Sequence, residues 1–213
     1  MVFKKIKKFI QKGIVSKLFS KKKKIKVGFY GPPNAGKSTL ANRISMDFAK
    51  EGFTSESSIP HETREIKIKE SVIIKKGDKE VEIDLVDTPG IATKIDYEDF
   101  IKKGLSKKEA KERAKQATKG VIDAIKWLDN VDAVVMVIDA SKDPLTQVNV
   151  TILGNLESRG IPFIIAANKI DLKNASAHKV REVFPNYEVV GISAKTGKGM
   201  DYFYEKLIEL VSK

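Results

Sequence analysis

Residues Ile25-Lys26-Val27-Gly28-Phe29-Tyr30 form a short, strand-like apolar run, and Gly31-Pro32-Pro33-Asn34-Ala35-Gly36-Lys37-Ser38 follows it without a spacer. Thr39-Leu40-Ala41-Asn42-Arg43-Ile44 then continues with helical composition. A strand that turns through GxxxxGK[ST] into a helix has few uses. Its glycines let backbone N–H groups curl around a phosphate, and the positive end of the helix adds to that field. In this pattern Lys37 brings a cation to the outer phosphates and the Ser38 hydroxyl is a ligand for Mg²⁺. The expected phosphate contacts are therefore Gly31, Pro32, Pro33, Asn34, Ala35, Gly36, Lys37, Ser38 and Thr39. The pattern points to a bound nucleoside triphosphate.

Three later segments narrow the base and the chemistry. A second strand-like run, Glu80 to Val86, ends in Asp87-Thr88-Pro89-Gly90. An acid at that strand end suits an outer-sphere partner for Mg²⁺, and the Gly90 amide is placed to sense a terminal phosphate. The apolar run Pro162 to Ala167 ends in Asn168-Lys169-Ile170-Asp171. A carboxylate at Asp171 can accept from both N1–H and the 2-amino group of guanine, whereas adenine offers neither donor in that arrangement. Lys169 can lay its methylene stem over the base. Ser193-Ala194-Lys195 follows the run Glu188 to Ile192.

With these residues in hand, the chain resembles the translation-factor-related GTPases, and more closely the Era-like small GTPases. Five elements fall in the family's order: Gly31–Ser38, Thr63, Asp87–Gly90, Asn168–Asp171 and Ser193–Lys195. The resemblance spans about residues 25–213 and implies GTP binding and hydrolysis, with Lys37, Thr63 and Gly90 as catalytic residues. It implies that Ser38, Thr63 and Asp87 manage Mg²⁺, that Ser193, Ala194 and Lys195 complete the guanine site, and that the Ala194 amide faces the guanine oxygen. Thr63 precedes Arg64, as Era-like proteins place their switch threonine, which favours it over Thr54. Relatives that use potassium carry Asn where Asn34 stands, so a K⁺ ion beside the phosphates is a further expectation; a simple turn residue is the other reading. Many Ras-like GTPases follow Gly90 with a water-orienting glutamine. Here Ile91 stands in its place, and slow intrinsic turnover is expected. Since the last helical run, from Met200 to Val211, is followed by only two residues, the RNA-binding domain of true Era proteins is expected to be missing.

The rest of the chain supplies the frame. Strand patterns at about 25–30, 64–74, 80–86, 132–139, 162–167 and 187–192 alternate with helical ones after the second pair, and Lys76-Gly77-Asp78-Lys79 reads as a hairpin turn. The expected architecture is α/β, a three-layer α/β/α G domain around a mixed, mostly parallel six-stranded sheet, with the nucleotide at the strand C-termini. Switch segments are expected at about 45–63 and, in extended form, at about 87–118. Within the second, residues 102–119 carry eight basic and two acidic side chains, and 106–118 is strongly helix-prone. A positive helix there can read a phosphate-rich partner, or can be a solvated face. His61, near Thr63, and His178 read as incidental surface residues.

Charge separates residues 1–24 from the remainder. Of the formal +12, eleven lysines lie in residues 1–26, which contain no acid, and the other 187 residues hold 29 basic against 28 acidic side chains. Val2, Phe3, Ile6, Phe9, Ile10, Ile14, Val15, Leu18 and Phe19 recur at helical spacing opposite the lysines. The segment is expected to be a basic amphipathic helix. Three partners suit it: an anionic membrane surface, RNA or a ribosomal particle, and its own G domain. The interrupted apolar run does not read as a secretion signal, so a cytoplasmic chain is expected, with peripheral attachment at the inner membrane surface as the alternative. The chain has no Cys and two His, which argues against thiol chemistry, a zinc-thiolate site or a Ser-His-Asp triad.

Overall fold

A computed structural model describes residues 25–49, 65–92, 97–102 and 104–212. The amphipathic arm, His61 and Thr63 lie outside the described residues, as does most of the first switch segment.

The first strand, β1 (Ile25–Tyr30), leads through the Gly31–Gly36 loop into α1 (Lys37–Ala49). Next, β2 (Lys67–Lys76) and β3 (Lys79–Asp87) form an antiparallel hairpin, closed by a two-residue turn with Gly77 at φ 57°. A short helix α2 (Tyr97–Ile101) and a long helix α3 (Lys107–Trp127) precede β4 (Ala133–Asp139). Then come α4 (Gln147–Ser158), β5 (Phe163–Asn168), α5 (Ala177–Val183), β6 (Val189–Gly191) and α6 (Met200–Val211). The sheet order is β2-β3-β1-β4-β5-β6, with every pair parallel except β2–β3. This is the mixed, mostly parallel six-stranded sheet that the strand patterns implied.

Side-chain alternation along the strands builds the two helical layers. In β4, Val135 and Val137 join the core beneath α1 and α6, with Leu40, Ile44, Phe203 and Leu207. Val134, Met136 and Ile138 face the other way, into the core under α3, α4 and α5, with Ala124, Leu128, Ile152, Leu156 and Phe184. Each large apolar side chain so buried contributes about 1.5–3 kcal/mol, and two such layers hold the strand ends in register. A strand buried on both faces must be apolar throughout, which is why β4 carries no polar residue before its terminal Asp139.

Two boundaries differ from the sequence patterns. The helix expected over 106–118 runs on to Trp127, because Val121, Ala124 and Ile125 extend its inward face onto the second core. Its start is fixed by Ser106, which forms a capping box. The Glu109 amide donates to Ser106 Oγ at 3.4 Å, and the Ser106 amide donates to Glu109 Oε2 at 3.0 Å. The last strand, Val189–Gly191, is three residues long rather than six, although the flanking Glu188 carbonyl and Ile192 amide still bond Ile165 N and Ala167 O of β5, each at 2.9 Å.

Candidate functional site

Parallel topology brings four strand ends together. Tyr30, Asp87, Asp139 and Asn168 are the last residues of β1, β3, β4 and β5, which lie side by side, and the motif loops leave the sheet from the same edge.

At the first of these ends the backbone is packed closely. A Cβ on Gly31 would sit 2.2 Å from the Val137 carbonyl oxygen. Gly36, at φ 96°, faces Asn168 Nδ2 so closely that a Cβ there would lie 2.3 Å from it. Gly31 O accepts from Lys37 Nζ at 3.2 Å and from the Ile91 amide at 3.1 Å, while Pro32 O accepts from Lys37 Nζ at 3.0 Å. Burial pushes the Lys37 ammonium down to about 8, and the nearby Asp87 carboxylate opposes that fall.

Asp87 is fully buried, and burial raises its carboxyl above the ordinary range. The Ser38 hydrogen bond and the charges of Lys37 and Lys67 pull the other way. Ser38 Oγ donates to Asp87 Oδ2 at 2.7 Å, and Asp87 Oδ1 has no partner. A hydroxyl beside a buried carboxylate with a spare oxygen is a donor set that fits a hard cation such as Mg²⁺. Among the described residues no cluster of three His or acidic side chains supplies a complete site, so phosphate oxygens would have to provide the remaining ligands.

The segment after Asp87 is clamped beneath the loop. Thr88 Oγ1 donates to the Phe29 carbonyl at 2.6 Å, and a Cβ on Gly90 would lie 2.8 Å from Pro33 Cα. Ile91 is buried in the second core with Tyr30, Ala124 and Leu128. Its side chain therefore anchors the segment.

A hydrogen-bonded frame forms the other half of the site. Asn168 is buried and donates to the Ala35 carbonyl at 3.0 Å, and its Oδ1 accepts from the Ala194 amide at 3.0 Å. It thus ties the phosphate loop to the Ser193–Lys195 loop. Lys169, at φ 69°, donates through Nζ to Asn34 O at 2.6 Å and to Asp139 Oδ2 at 2.8 Å. Asp139 also accepts from Ser141 N and Oγ, at 3.0 and 2.6 Å. Desolvation raises the Asp139 carboxyl, but the bonds from Lys169 and Ser141 outweigh it and hold the group below its ordinary value.

Asp171 is exposed. The Ser193 hydroxyl beside it, with smaller help from Lys195 and Lys169, holds its carboxyl low and keeps it an acceptor at neutral pH. Gly36, Thr39, Asn168, Lys169, Asp171 and Lys195 line a cleft of about 400 Å³. A larger cleft, about 570 Å³, lies between Pro89 and α3, with Trp127 in its wall, and holds none of the residues expected from sequence to read a base.

The strand ends thus bring together the motif residues expected from sequence that are among the described residues; Thr63 lies outside them. Asp139 belongs to none of the sequence motifs, although β4 ends in an acid just as β3 does. The Ala194 amide, expected to face the guanine oxygen, is engaged by Asn168, so a base would have to share it.

Residues 26–169 match the family model described as 50S ribosome-binding GTPase. The tRNA modification GTPase MnmE of Prochlorococcus marinus (strain NATL2A) is 32% identical over 188 residues, covering 87% of this chain and 34% of that protein. GTPase Der of Thermosipho africanus is 35% identical over 189 residues, covering 83% and 37%. The chain thus spans about a third of the length of the curated relatives it matches. A variant of Aquifex aeolicus Era bound to GDP·AlF4⁻ superposes with a TM-score of 0.65 at 23% identity, covering 87% of this chain and 56% of Era. That likeness bears out the Era-type G-domain fold that the motifs implied.

Proposed function

The chain belongs to the GTPase family described as 50S ribosome-binding GTPase, and from that membership we propose that it is a GTP-hydrolysing switch acting on RNA or a ribosomal particle. The observation that carries the chemical part is the joining of both halves of the site by Asn168, which bonds the phosphate loop and the Ser193–Lys195 loop at once.

In this reading the loop amides of 31–38 hold the phosphates, and Lys37 exchanges its contacts with Gly31 O and Pro32 O for phosphate oxygens. Water adds to the γ-phosphorus as the β,γ-bridging oxygen leaves. The products are GDP and inorganic phosphate, with the water proton carried off on phosphate. Lys37 and the loop N–H groups face the charge that builds on the transferred group. Ser38 and Asp87, with Thr63 by family resemblance, would hold Mg²⁺, which supplies further charge neutralisation when bound. The Gly90 amide senses the γ-phosphate, and segments 45–63 and 87–118 change between GTP and GDP forms, where a partner reads them.

Guanine choice rests on Asp171. The variant Asp171→Asn is expected to bind GTP about 10³- to 10⁴-fold more weakly and to accept xanthosine triphosphate, whose C2 oxygen takes a hydrogen bond from the new amide. Nucleotide titration checks this; undiminished preference for GTP in the variant would refute the assigned role.

With Ile91 buried, water orientation must come from elsewhere, and a K⁺ ion held partly by Asn34 is the proposed aid. Asn34 is exposed at φ 61°, at the lip of the phosphate loop. Turnover is expected to be several-fold faster in KCl than in NaCl at equal ionic strength, and equal rates would remove the ion from the mechanism.

The RNA-linked role is favoured by the family description, and by the solved complex of Era with MgGDPNP and nucleotides 1506–1542 of 16S ribosomal RNA. The helically spaced apolar residues and eleven lysines in the sequence of residues 1–26 support a second reading, a GTPase attached to an anionic membrane. No helix among the described residues is long and apolar enough to cross a membrane. Co-sedimentation of the full chain with ribosomal particles and, separately, with anionic liposomes tells the two apart.

A further inference from the structure

Helix α3 is electrostatically costly in a way that its own fold does not require. At 100° per residue, Lys107, Lys108, Lys111, Lys115, Lys119 and Lys126 fall within about 120° of arc. All six are exposed, and the arc lies opposite the buried Ala110, Ala117 and Ala124. Lys107, Lys111, Lys115 and Lys119 follow one another at i,i+4, a ladder of like charges that rises about 6 Å per step and about 18 Å in all. Such neighbours repel rather than support a helix. Lys107 and Lys108 also stand in the first turn, at the positive end of the dipole, where the Ser106–Glu109 capping box is the local compensation. Among the described residues none of the six forms an ion pair; Lys111 instead lies 5.7 Å from the centre of the Tyr97 ring. A helix kept only for packing has no use for this row.

We propose that the exposed face of α3 is a docking surface for the phosphodiester backbone of RNA. Four cations at a regular step along one side of the helix match a polyanion whose charges are also regularly spaced. Only one large apolar side chain, Ile122, stands on that face, and the helix has already committed its apolar side to the core. Insertion into a bilayer needs an apolar face to bury, so a lipid surface is the poorer match. The stripe holds no aromatic side chain on which a base would stack. The contact is therefore to backbone and insensitive to sequence. This inference rests on the RNA-linked reading of the switch and assigns that reading a surface separate from residues 1–24.

The test uses the full chain and a short, unstructured, fluorescein-labelled RNA, with phosphatidylglycerol vesicles in a parallel arm. One variant carries Lys→Gln at positions 107, 111, 115 and 119. A charge-matched control carries Lys→Gln at the exposed positions 75, 79, 173 and 179. Thermal melting and far-ultraviolet circular dichroism unchanged from the natural chain in both show that each is folded. The α3 variant is expected to bind RNA at least tenfold more weakly than the control, and to flatten the slope of log affinity against log salt by about 3. RNA should also shield the four α3 lysines of the natural chain from acylation, read by mass spectrometry. Equal weakening in both variants would overturn the proposal by reducing it to net charge. RNA binding that leaves the α3 lysines unshielded would overturn it too, while leaving the RNA-linked reading intact. Binding to vesicles without binding to RNA would overturn both.

Discussion

The two halves of the site solve opposite electrostatic problems. At the phosphate end, charge is buried ahead of its partners. Lys37 is pushed down to about 8, the Asp87 carboxyl is raised by burial, and Asp87 Oδ1 has no hydrogen bond. At the base end nearly every polar group is already engaged. Asn168 has partners on both sides, and Asp139 binds Lys169 and Ser141. In the proposed reading, a ligand that brings phosphate and a cation relieves the first end, whereas the second is already braced and has the Ala194 amide to share with a base. On that reading binding energy is concentrated where the chemistry takes place, and selectivity is built into a stiff frame.

Three experiments sharpen or break this contrast. The largest effect is expected for Lys37→Ala, which should lower GTP turnover about 10²- to 10³-fold with little change in the stability of the nucleotide-free protein. Single-turnover kinetics and thermal melting measure the two terms; a large loss of stability would mean that Lys37 belongs to the frame.

Next comes a pair of opposite sign. Asn168→Ala strands the Ala35 carbonyl and the Ala194 amide and should destabilise the nucleotide-free protein by about 1–3 kcal/mol. Asp87→Asn removes a buried carboxylate and should leave that stability equal or higher, while weakening Mg²⁺-dependent nucleotide binding. Denaturation of both variants without nucleotide decides; movement in the same direction would end the contrast.

The smallest effect concerns pH. Because the folded Asp139 carboxyl lies below its ordinary value, its contribution is complete above that value, about pH 4, and disappears as pH falls through the lowered one. The natural chain should exceed Asp139→Asn in stability by on the order of 1 kcal/mol at pH 6, with the gap closing below about pH 4. A gap that persists unchanged at pH 3 would show that the carboxylate charge is not what Lys169 holds.

Much of the frame was legible from short stretches. The Gly77 turn, the Ser38-to-helix transition and the apolar β4 run follow from backbone sterics and side-chain alternation within a few residues, so their sequence patterns and their structures agree. The length of α3 was less legible, because its last turns are held by Ile91, Tyr30 and the neighbouring strands rather than by local propensity. Asp139 was invisible as a site residue, because an acid closing a strand resembles any turn acid until Lys169, 30 positions away, reaches it.

The sequence by itself determined the kind of ligand and the edge of the sheet that meets it. A phosphate loop works through consecutive backbone amides, and a guanine-reading acid through one carboxylate at a strand end, and both are properties of contiguous residues. Tertiary structure alone decided which groups are buried without partners and which are braced. It placed Ile91 in the core, left Asp87 Oδ1 unsatisfied and set Asn168 between loops, its bond to Ala35 spanning 133 positions of chain. The physical reason is one of range. Hydrogen-bond geometry and side-chain periodicity act over a few residues, whereas desolvation and the choice of partner depend on whatever the fold brings alongside.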